Sequence, residues 1–375
     1  MSDLTQPDCV IWNPRSGKSR GQRRLQRTRQ RLLSGVEWIA TTAPGSAIEQ
    51  ARAAVARGAR NVIAAGGDGT LHEVARGLLS TGVAGLELGL LPVGSANDYA
   101  FSVADELDQL PEGTPPVLTV DVGRVAAGPF AAPPAVRSTF PATPKLGSAG
   151  LAGRPSRTAG RSTTGPASVD LPQAGGSPVP GELPVGANIA PEEVFPEGSG
   201  RVGYFLSSLG LGLNGLVTEE AHQIHWLQGL WLYGWATLKA LRRQRELPEM
   251  SIQVGQAIPW VGPTLLFSLL LGQREGNFRL APEARLGDGW FNFVRSDLQS
   301  LPEIVALLPR VAWWGAPRNH PRVQLGLCQS ARIMSQRPLT VHIDGELFCR
   351  EADGVTEIDC QLLPSRLRVR LWNRA

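Results

Sequence analysis

The chain has 375 residues, enough for two domains that each bury a core of their own. Its net charge of +4 suits an anionic ligand or an acidic membrane surface and does not require nucleic acid, which we do not expect as a partner. The four cysteines lack metal-ligand spacing, the first residues are too polar for a signal peptide, and no apolar run reaches the length of a membrane span, about 18 residues. We therefore expect a cytoplasmic protein with reduced cysteines.

Strands and helices alternate in the first part of the sequence. Apolar runs predict strands at 9–13, 36–40, 61–65 and 87–91. Helical periodicity predicts helices at 18–34, 46–58, 71–80 and 97–105. This alternation is typical of a mostly parallel sheet covered by helices on both faces, so we predict an α/β domain over residues 1–116.

The pattern changes after residue 116. Residues alternate with a period of two at 117–125 and 203–207, and further strand-like segments lie near 263–271 and 339–343. These segments predict a mainly antiparallel, β-rich second domain over residues 117–350. The remaining segment, 351–375, could return to the first domain.

Residues 126–200 have a composition unlike the rest of the chain. Ala, Pro, Gly, Ser and Thr dominate this segment, and no hydrophobic period is visible in it. Such a sequence cannot bury enough apolar surface to offset the conformational entropy lost on ordering. We predict a disordered insertion in a hairpin turn of the second domain, which a fold can tolerate because closure entropy grows slowly with loop length.

A glycine-rich turn follows the third predicted strand. Four apolar residues, 62–65, lead into the run Gly66-Gly67-Asp68-Gly69-Thr70, and a helical pattern follows. The glycines allow the backbone to approach a bulky anion, and N–H groups at a helix start would face that anion. Asp68 could hold a phosphate-bound Mg²⁺ or orient a hydroxyl. The alternative is an ordinary strand–turn–helix corner.

Similar turns follow the first and the fourth predicted strands. The first contains Asn13-Pro14-Arg15-Ser16-Gly17, and it is not a P-loop because Trp12 stands where that motif needs glycine. The other runs from Pro92 to Asp98 and offers the Ser95 hydroxyl and the helix-capping side chains of Asn97 and Asp98. All three turns follow parallel strands at the same end, where open sheets bind ligands. The sequence therefore predicts a phosphate site there.

These three turns, in this order and spacing, resemble the nucleotide-binding signature of the diacylglycerol kinase catalytic-domain family, which includes soluble bacterial lipid kinases and sphingosine kinases. The resemblance implies ATP and Mg²⁺ as cofactors, a nucleotide cleft between the two domains, and a hydroxyl of a diacylglycerol-like or other membrane lipid as the phosphoryl acceptor. The nucleotide-binding residues that it implies are Asn13, Pro14, Arg15, Ser16, Gly17, Thr41, Gly66, Gly67, Asp68, Gly69, Thr70, Leu71, His72, Glu73, Ser95, Asn97 and Asp98.

Two segments extend the resemblance into the second half. The run from Val341 to Glu346 matches an Asp-Gly-Glu motif, which implies Glu346 as proton acceptor, Asp344 as its positioning neighbour and Asp68 as the third catalytic residue. Asp344 and Glu346 flank one glycine, so both could point to the same face of an extended strand. An exposed hairpin is the alternative.

The second of these segments, residues 281–290, matches an Ala-Pro turn followed by Asp-Gly. By resemblance, this loop holds a structural Mg²⁺ through the side chain of Asp288 and the backbone carbonyls of Arg285 and Trp290. A plain Asp-Gly turn is the alternative.

Two segments could contact a membrane surface. Lys18–Arg31 carries seven basic residues and no acid, and the region from Trp226 to Arg245 combines aromatic residues with a basic cluster. Both patterns favour transient peripheral contact with anionic lipid. A solvated helix face and a helix packed on the second-domain sheet are the respective alternatives, and a homodimer remains open.

Other enzyme classes fit the sequence less well. NAD kinases and phosphofructokinases share the Gly-Gly-Asp-Gly turn, but the other two turns favour lipid kinases. A Rossmann dehydrogenase needs Gly-x-Gly-x-x-Gly after the first strand, which is absent. An inactive lipid- or nucleotide-binding regulator is a further alternative, against which Asp68, Asp344 and Glu346 argue. The acceptor could be diacylglycerol, phosphatidylglycerol, a sphingoid base or another alcohol.

Overall fold

The computed structural model describes residues 7–17, 19–31, 35–94, 97–128, 201–224, 230–243, 246–275 and 278–372. In the first part of the chain, strands and helices alternate as predicted. They are β1 (Cys9–Trp12), α1 (Ser19–Arg31), β2 (Glu37–Ala40), α2 (Ser46–Ala56), β3 (Asn61–Gly66), α3 (Asp68–Leu79), β4 (Glu87–Pro92) and α4 (Asp98–Leu107).

The four strands form a parallel sheet in the order β2-β1-β3-β4. Every residue of β3 is buried, because alternate side chains enter cores on opposite faces of the sheet. Val62 and Ala64 pack in the core that also contains residues of α2, α3 and α4, whereas Ile63 and Ala65 pack in the core that contains Leu25 of α1. The predicted parallel sheet with helices on both faces is confirmed.

The second half is rich in antiparallel strands, as predicted. Its elements are β5 (Val117–Gly128), β6 (Val202–Phe205), β7 (Ser208–Gly212), α5 (Leu213–His222), α6 (Leu230–Arg243), β8 (Glu249–Val254), β9 (Trp260–Pro263), β10 (Leu266–Leu270), β11 (Phe291–Ser296), α7 (Leu301–Trp314), β12 (Val323–Cys328), β13 (Ser330–Ser335), β14 (Val341–Ile343), β15 (Glu346–Cys349), a short 3₁₀ helix (Glu351–Asp353) and β16 (Glu357–Leu371). A six-stranded antiparallel sheet has the order β12-β11-β10-β7-β14-β15.

The long strand β16 belongs to both halves of the molecule. Its last residues, from Arg368 to Leu371, lie parallel to β4, whereas its first residues pair antiparallel with β13. β5 accompanies β16 with an irregularity between Leu363 and Leu367, where Ser365 has a positive φ of 50°. One ten-stranded sheet therefore extends from the first half into the second.

Among the boundaries that differ from the prediction, two concern the glycine-rich turn and the insertion. α3 begins at Asp68 rather than at residue 71, because Gly67 is the extended N-cap residue and the Asp-Gly-Thr run forms the first helical turn. β5 continues to Gly128, so residues 126–128 of the predicted insertion are strand residues paired with β16. Residues 129–200 lie outside the described residues. None of the helices in the described part of the chain is long and apolar enough to cross a membrane.

Candidate functional site

The turns after β1, β3 and β4 contact one another. The Asn13 side-chain amide donates to the Thr70 hydroxyl at 3.3 Å and so joins the first turn to the second. A Cβ on Gly94 would lie 2.5 Å from the Cα of Gly67, and a Cβ on Gly17 would overlap the carbonyl oxygen of Val93. The glycines thus allow three backbone segments to meet at the start of α3, where Gly67 contributes no capping side chain.

Asp68 lies between the N-terminal ends of α3 and α4. Its Oδ1 accepts a hydrogen bond from the Tyr99 backbone N–H at 3.4 Å. Burial raises the pKa of Asp68, while N–H groups at the start of α4 oppose that shift. Burial and the charge of Asp68 raise the pKa of Asp98, which Arg274 opposes. Two acids in one partly buried place would be stabilised in their ionised form by a bound cation.

The Asp344 carboxylate is fully engaged. Its two oxygens accept the backbone N–H groups of Leu206, Ser207 and Ser208 at 2.8, 2.8 and 2.9 Å. Its Oδ2 also lies 2.9 Å from Nδ1 of His72 on α3. Burial would raise the pKa of Asp344, but the His72 contact and the N–H donors outweigh burial and hold that pKa below its usual value. This side chain joins the two halves and fixes the β6–β7 turn.

Glu346 occupies a different position from its neighbour. Asp344 and Gly345 are the central residues of the β14–β15 turn, with positive φ angles of 49° and 84°, and Ile343 pairs with Glu346. The expectation that both acids share a face of an extended strand is therefore wrong, because Asp-Gly favours a tight hairpin turn with positive φ. Glu346 is exposed, and its Oε1 would lie 3.5 Å from a Cβ on Gly69.

These acids line a polar cavity of about 210 Å³ to which both halves contribute. Of the residues predicted from the sequence, it contains Asp68, Gly69, Leu71, His72, Asp98, Asp344 and Glu346. Sequence reasoning missed Arg274 and the β6–β7 turn residues Leu206, Ser207 and Ser208, which also line the cavity. A single arginine in an irregular segment gives no local signal, so only the fold could reveal it.

Other predicted nucleotide contacts lie around the turns rather than in this cavity. Glu73 accepts the N–H groups of Gly45 and Ala47 at 2.8 and 3.3 Å, so its carboxylate caps the start of α2. The Thr41 N–H donates to the Trp12 carbonyl at 2.9 Å. Pro14 and Arg15 are exposed in the first turn, where Ser16 is half-buried. Asn97 donates to the Gly94 carbonyl at 2.9 Å. Ser95 lies outside the described residues.

The loop with Asp288 lies against β5 and the end of α4. Gly289 N–H donates to Asp121 Oδ2 at 2.7 Å, and Trp290 N–H donates to Asp288 Oδ1 at 3.0 Å. The Arg285 guanidinium donates to the Gln109 side chain. Burial and the charge of Asp121 raise the pKa of Asp288, so a cation would be favoured here. No group of three or more His, Cys, Asp or Glu side chains in the described ranges could hold a metal ion. The metal site predicted from the sequence is of a different kind, because it has one carboxylate and two backbone carbonyls.

An apolar cavity of about 160 Å³ lies in the second half. Its wall includes Leu213 and Val217 of α5, and Ile304 and Val311 of α7. Gly345 lines this cavity and also the polar one. The two cavities therefore meet at the β14–β15 turn.

The molecule therefore has the fold class that was predicted from the sequence. Its parallel α/β half carries three converging turns beside a polar cavity, and its second half is mainly antiparallel. A crystal structure of a diacylglycerol kinase from Bacillus anthracis str. Sterne has this fold, with a TM-score of 0.55, 13% identity and 97% of both chains covered. The diacylglycerol kinase catalytic domain matches residues 7–124, and the YegS C-terminal NAD kinase beta sandwich-like domain matches residues 207–371. The chain belongs to the diacylglycerol kinase catalytic-domain family.

Named relatives agree with this assignment. The diacylglycerol kinase of Bacillus subtilis (strain 168) is 34% identical over 128 residues, which are 31% of this chain and 41% of that protein. The chain thus aligns with less than half of that relative's length. The diacylglycerol kinase of Staphylococcus saprophyticus is 24% identical over 350 residues, which are 90% of this chain and 88% of that protein.

Proposed function

We propose that this protein is an ATP-dependent lipid kinase that transfers a phosphoryl group to a hydroxyl of a membrane lipid. The observation that carries this proposal is the meeting of a polar cavity and an apolar cavity at Gly345. A nucleotide phosphate in the first and a lipid chain in the second would bring the two reacting groups together. The names of the relatives support the same class of reaction.

The side chains of the polar cavity suit this transfer. Backbone N–H groups of the converging turns would hold the ATP phosphates, and Arg274 would add positive charge. Glu346 is exposed and faces the start of α3, so it would accept the proton of the lipid hydroxyl. Asp344 would position the turn that carries Glu346. Most of the rate would come from positioning and charge neutralisation.

Two places suit Mg²⁺, which prefers carboxylate and carbonyl oxygens. Asp68 and Asp98 would hold the ion that accompanies ATP, which supplies neutralisation of phosphate charge when bound. Asp288, with the carbonyls of Arg285 and Trp290, would hold a structural ion whose charge offsets the repulsion between Asp288 and Asp121.

We also propose transient peripheral contact with the membrane, chiefly through α7. This helix lines the apolar cavity through Ile304 and Val311 and leaves Leu301, Val305, Trp313 and Trp314 exposed. Exposed apolar side chains with two tryptophans at one end of the helix suit the headgroup level of a bilayer. The basic cluster after residue 225 offers less charge than its sequence suggested, because Lys239 and Arg243 pair with acids of α5; residues 225–229 and 244–245 lie outside the described residues.

Labelled ATP with a panel of acceptors tests the proposed activity. We expect label in organic-extractable lipid and none in NAD or sugar phosphate. Glu346→Gln should lower kcat by about a hundredfold or more, because it removes the general base. Transfer to NAD without transfer to lipid would assign the chain to the small-molecule kinases, and ATP binding without any transfer would assign it to the inactive regulators.

A further inference from the structure

A buried polar cluster lies on the wall of the apolar cavity. It consists of Asn214 on α5, Glu275 in the segment between β10 and β11, and His342 on β14. All three residues line that cavity. The Glu275 Oε1 lies 2.6 Å from His342 Nε2 and accepts the Asn214 amide at 3.1 Å. The same amide donates to the hydroxyl of Ser268 at 2.8 Å. Glu275 and His342 are only 7% and 2% exposed.

The carboxylate of Glu275 and the imidazole of His342 each have a second polar atom. Glu275 Oε2 and His342 Nδ1 are buried and have no hydrogen-bond partner among the residues that the structure describes. An unpaired buried carboxylate oxygen is unfavourable, so such atoms usually bind water or a ligand. When the carboxylate is ionised it can only accept, so His342 Nε2 then donates to Oε1, and Glu275 Oε2 is left as an acceptor.

The neighbouring strand leaves space for this cluster. Gly210 on β7 pairs with His342, and a Cβ on Gly210 would overlap both Glu275 Oε1 and His342 Nε2. The segments that carry Glu275 and His342 continue to the polar cavity, because Arg274, next to Glu275 in sequence, lines that cavity, and Gly345, three residues after His342, lines both. A lipid head group between the two cavities would therefore reach the cluster with one group and Glu346 with another.

We propose that Glu275 binds a second polar group of the acceptor lipid, a hydroxyl or an amine that donates to its free oxygen, while the reacting hydroxyl faces Glu346. This inference rests on the proposed kinase function. Ester oxygens only accept hydrogen bonds, and diacylglycerol has no donor besides its reacting hydroxyl. The cluster therefore selects lipid alcohols that carry a second donor beside the reacting hydroxyl.

The test compares three lipids that differ in one group: monooleoylglycerol, its analogue with an amine in place of the second hydroxyl, and its analogue with a methyl ether there. The kcat/KM with labelled ATP should be tenfold or more higher for the hydroxyl or the amine lipid than for the ether. Tryptophan fluorescence measures the affinity for the same lipids without ATP and should give the same order.

Glu275→Gln should abolish the preference for the hydroxyl lipid over the ether lipid. Asn214 and His342 both face Oε1, so they should hold the glutamine oxygen there and leave its NH₂ at the unpaired position, where it can donate to a hydroxyl oxygen as well as to an ether oxygen. The matched control is Glu220→Gln, which changes a buried glutamate of α5 that pairs with Lys239 and does not line the cavity. Its lipid preference should equal that of the wild type.

Equal kcat/KM and equal affinity for the three lipids in the wild type would overturn the inference, as would an unchanged preference in Glu275→Gln. Should that variant not fold, the wild-type preference decides. Absence of transfer to any lipid, with the binding preference present in the wild type and lost in Glu275→Gln, would refute the kinase proposal and leave the proposed hydrogen bond to Glu275 supported.

Discussion

At the scale of single residues, Asp344 and Glu346 differ in what their oxygens contact. Asp344 accepts three backbone N–H groups and faces His72, whereas Glu346 is exposed across from Gly69. A carboxylate that is occupied on both oxygens cannot readily take a further proton. This difference supports the proposal that Glu346 is the proton acceptor and that Asp344 has a positioning role.

Asp344→Asn should lower the free energy of unfolding by about 2–3 kcal/mol at neutral pH, because an amide NH₂ would face backbone donors. The pKa of Asp344 is lowered from its ordinary 3.8, so its stabilisation is present above that value and is lost as the pH falls through the lowered pKa. The difference between wild type and variant should shrink accordingly in urea unfolding at acidic pH. Glu346→Gln is the control and should leave stability nearly unchanged; equal destabilisation by both would contradict this assignment.

Asp68→Asn should slow phosphoryl transfer by about a thousandfold while the fold persists, because a cation-binding carboxylate beside the phosphate site is lost. Steady-state kinetics at saturating Mg²⁺ measure this effect, and circular dichroism checks the fold. Asp105→Asn, which changes an exposed acid of α4, is the matched control. Turnover near that of the wild type would reject the assignment of Asp68.

At the scale of secondary structure, the sequence predicted what local patterns encode. The alternation of strands with helices and the glycine turns at Gly66 and Gly94 are local signals, and the structure contains them. The pairing of β16 with β4 joins residues far apart in sequence and leaves no local period. The contact between Glu275 and His342 likewise depends on two distant segments, so only the folded chain could reveal it.

Replacing residues 129–200 with a short glycine-containing turn should leave folding unchanged. β5 and β6 pair from Gly123 with Phe205 to Ala126 with Val202, and the Ala127 N–H donates to the Arg201 carbonyl, so the two ends to be joined are neighbours. Residues 126–128 must stay, because they pair with β16. Thermal unfolding and ATP affinity should match those of the full chain; loss of the cooperative transition would show that the segment is structural.

At the scale of the whole molecule, charge and apolar surface belong to different elements. The basic helix α1 packs on one face of the parallel sheet in the first half, whereas α7 exposes its tryptophans beside the apolar cavity of the second half. Long-range attraction by α1 and shorter-range insertion by α7 would act together on an anionic bilayer. Neither contribution requires a spanning helix.

Vesicle co-sedimentation should increase with anionic lipid and decrease with salt, because exposed charges are screened beyond about 8–10 Å. Charge reversal at Arg23 and Arg27 should remove the anionic preference, whereas serine at both Trp313 and Trp314 should weaken binding to all vesicles. Ile258→Ser is the control for the tryptophans, since Ile258 is 93% exposed and lies outside α7. Equal binding to neutral and anionic vesicles would reject the electrostatic contribution.

The path of β16 also constrains the order in which the protein can fold during synthesis. Until β16 leaves the ribosome, β4 is an unpaired edge of the parallel sheet. The buried Leu88, Leu90 and Leu91 lie on that strand, and an uncovered apolar edge invites pairing with other chains. The edge of β4 therefore stays open to such pairing until more than two hundred further residues have been synthesised.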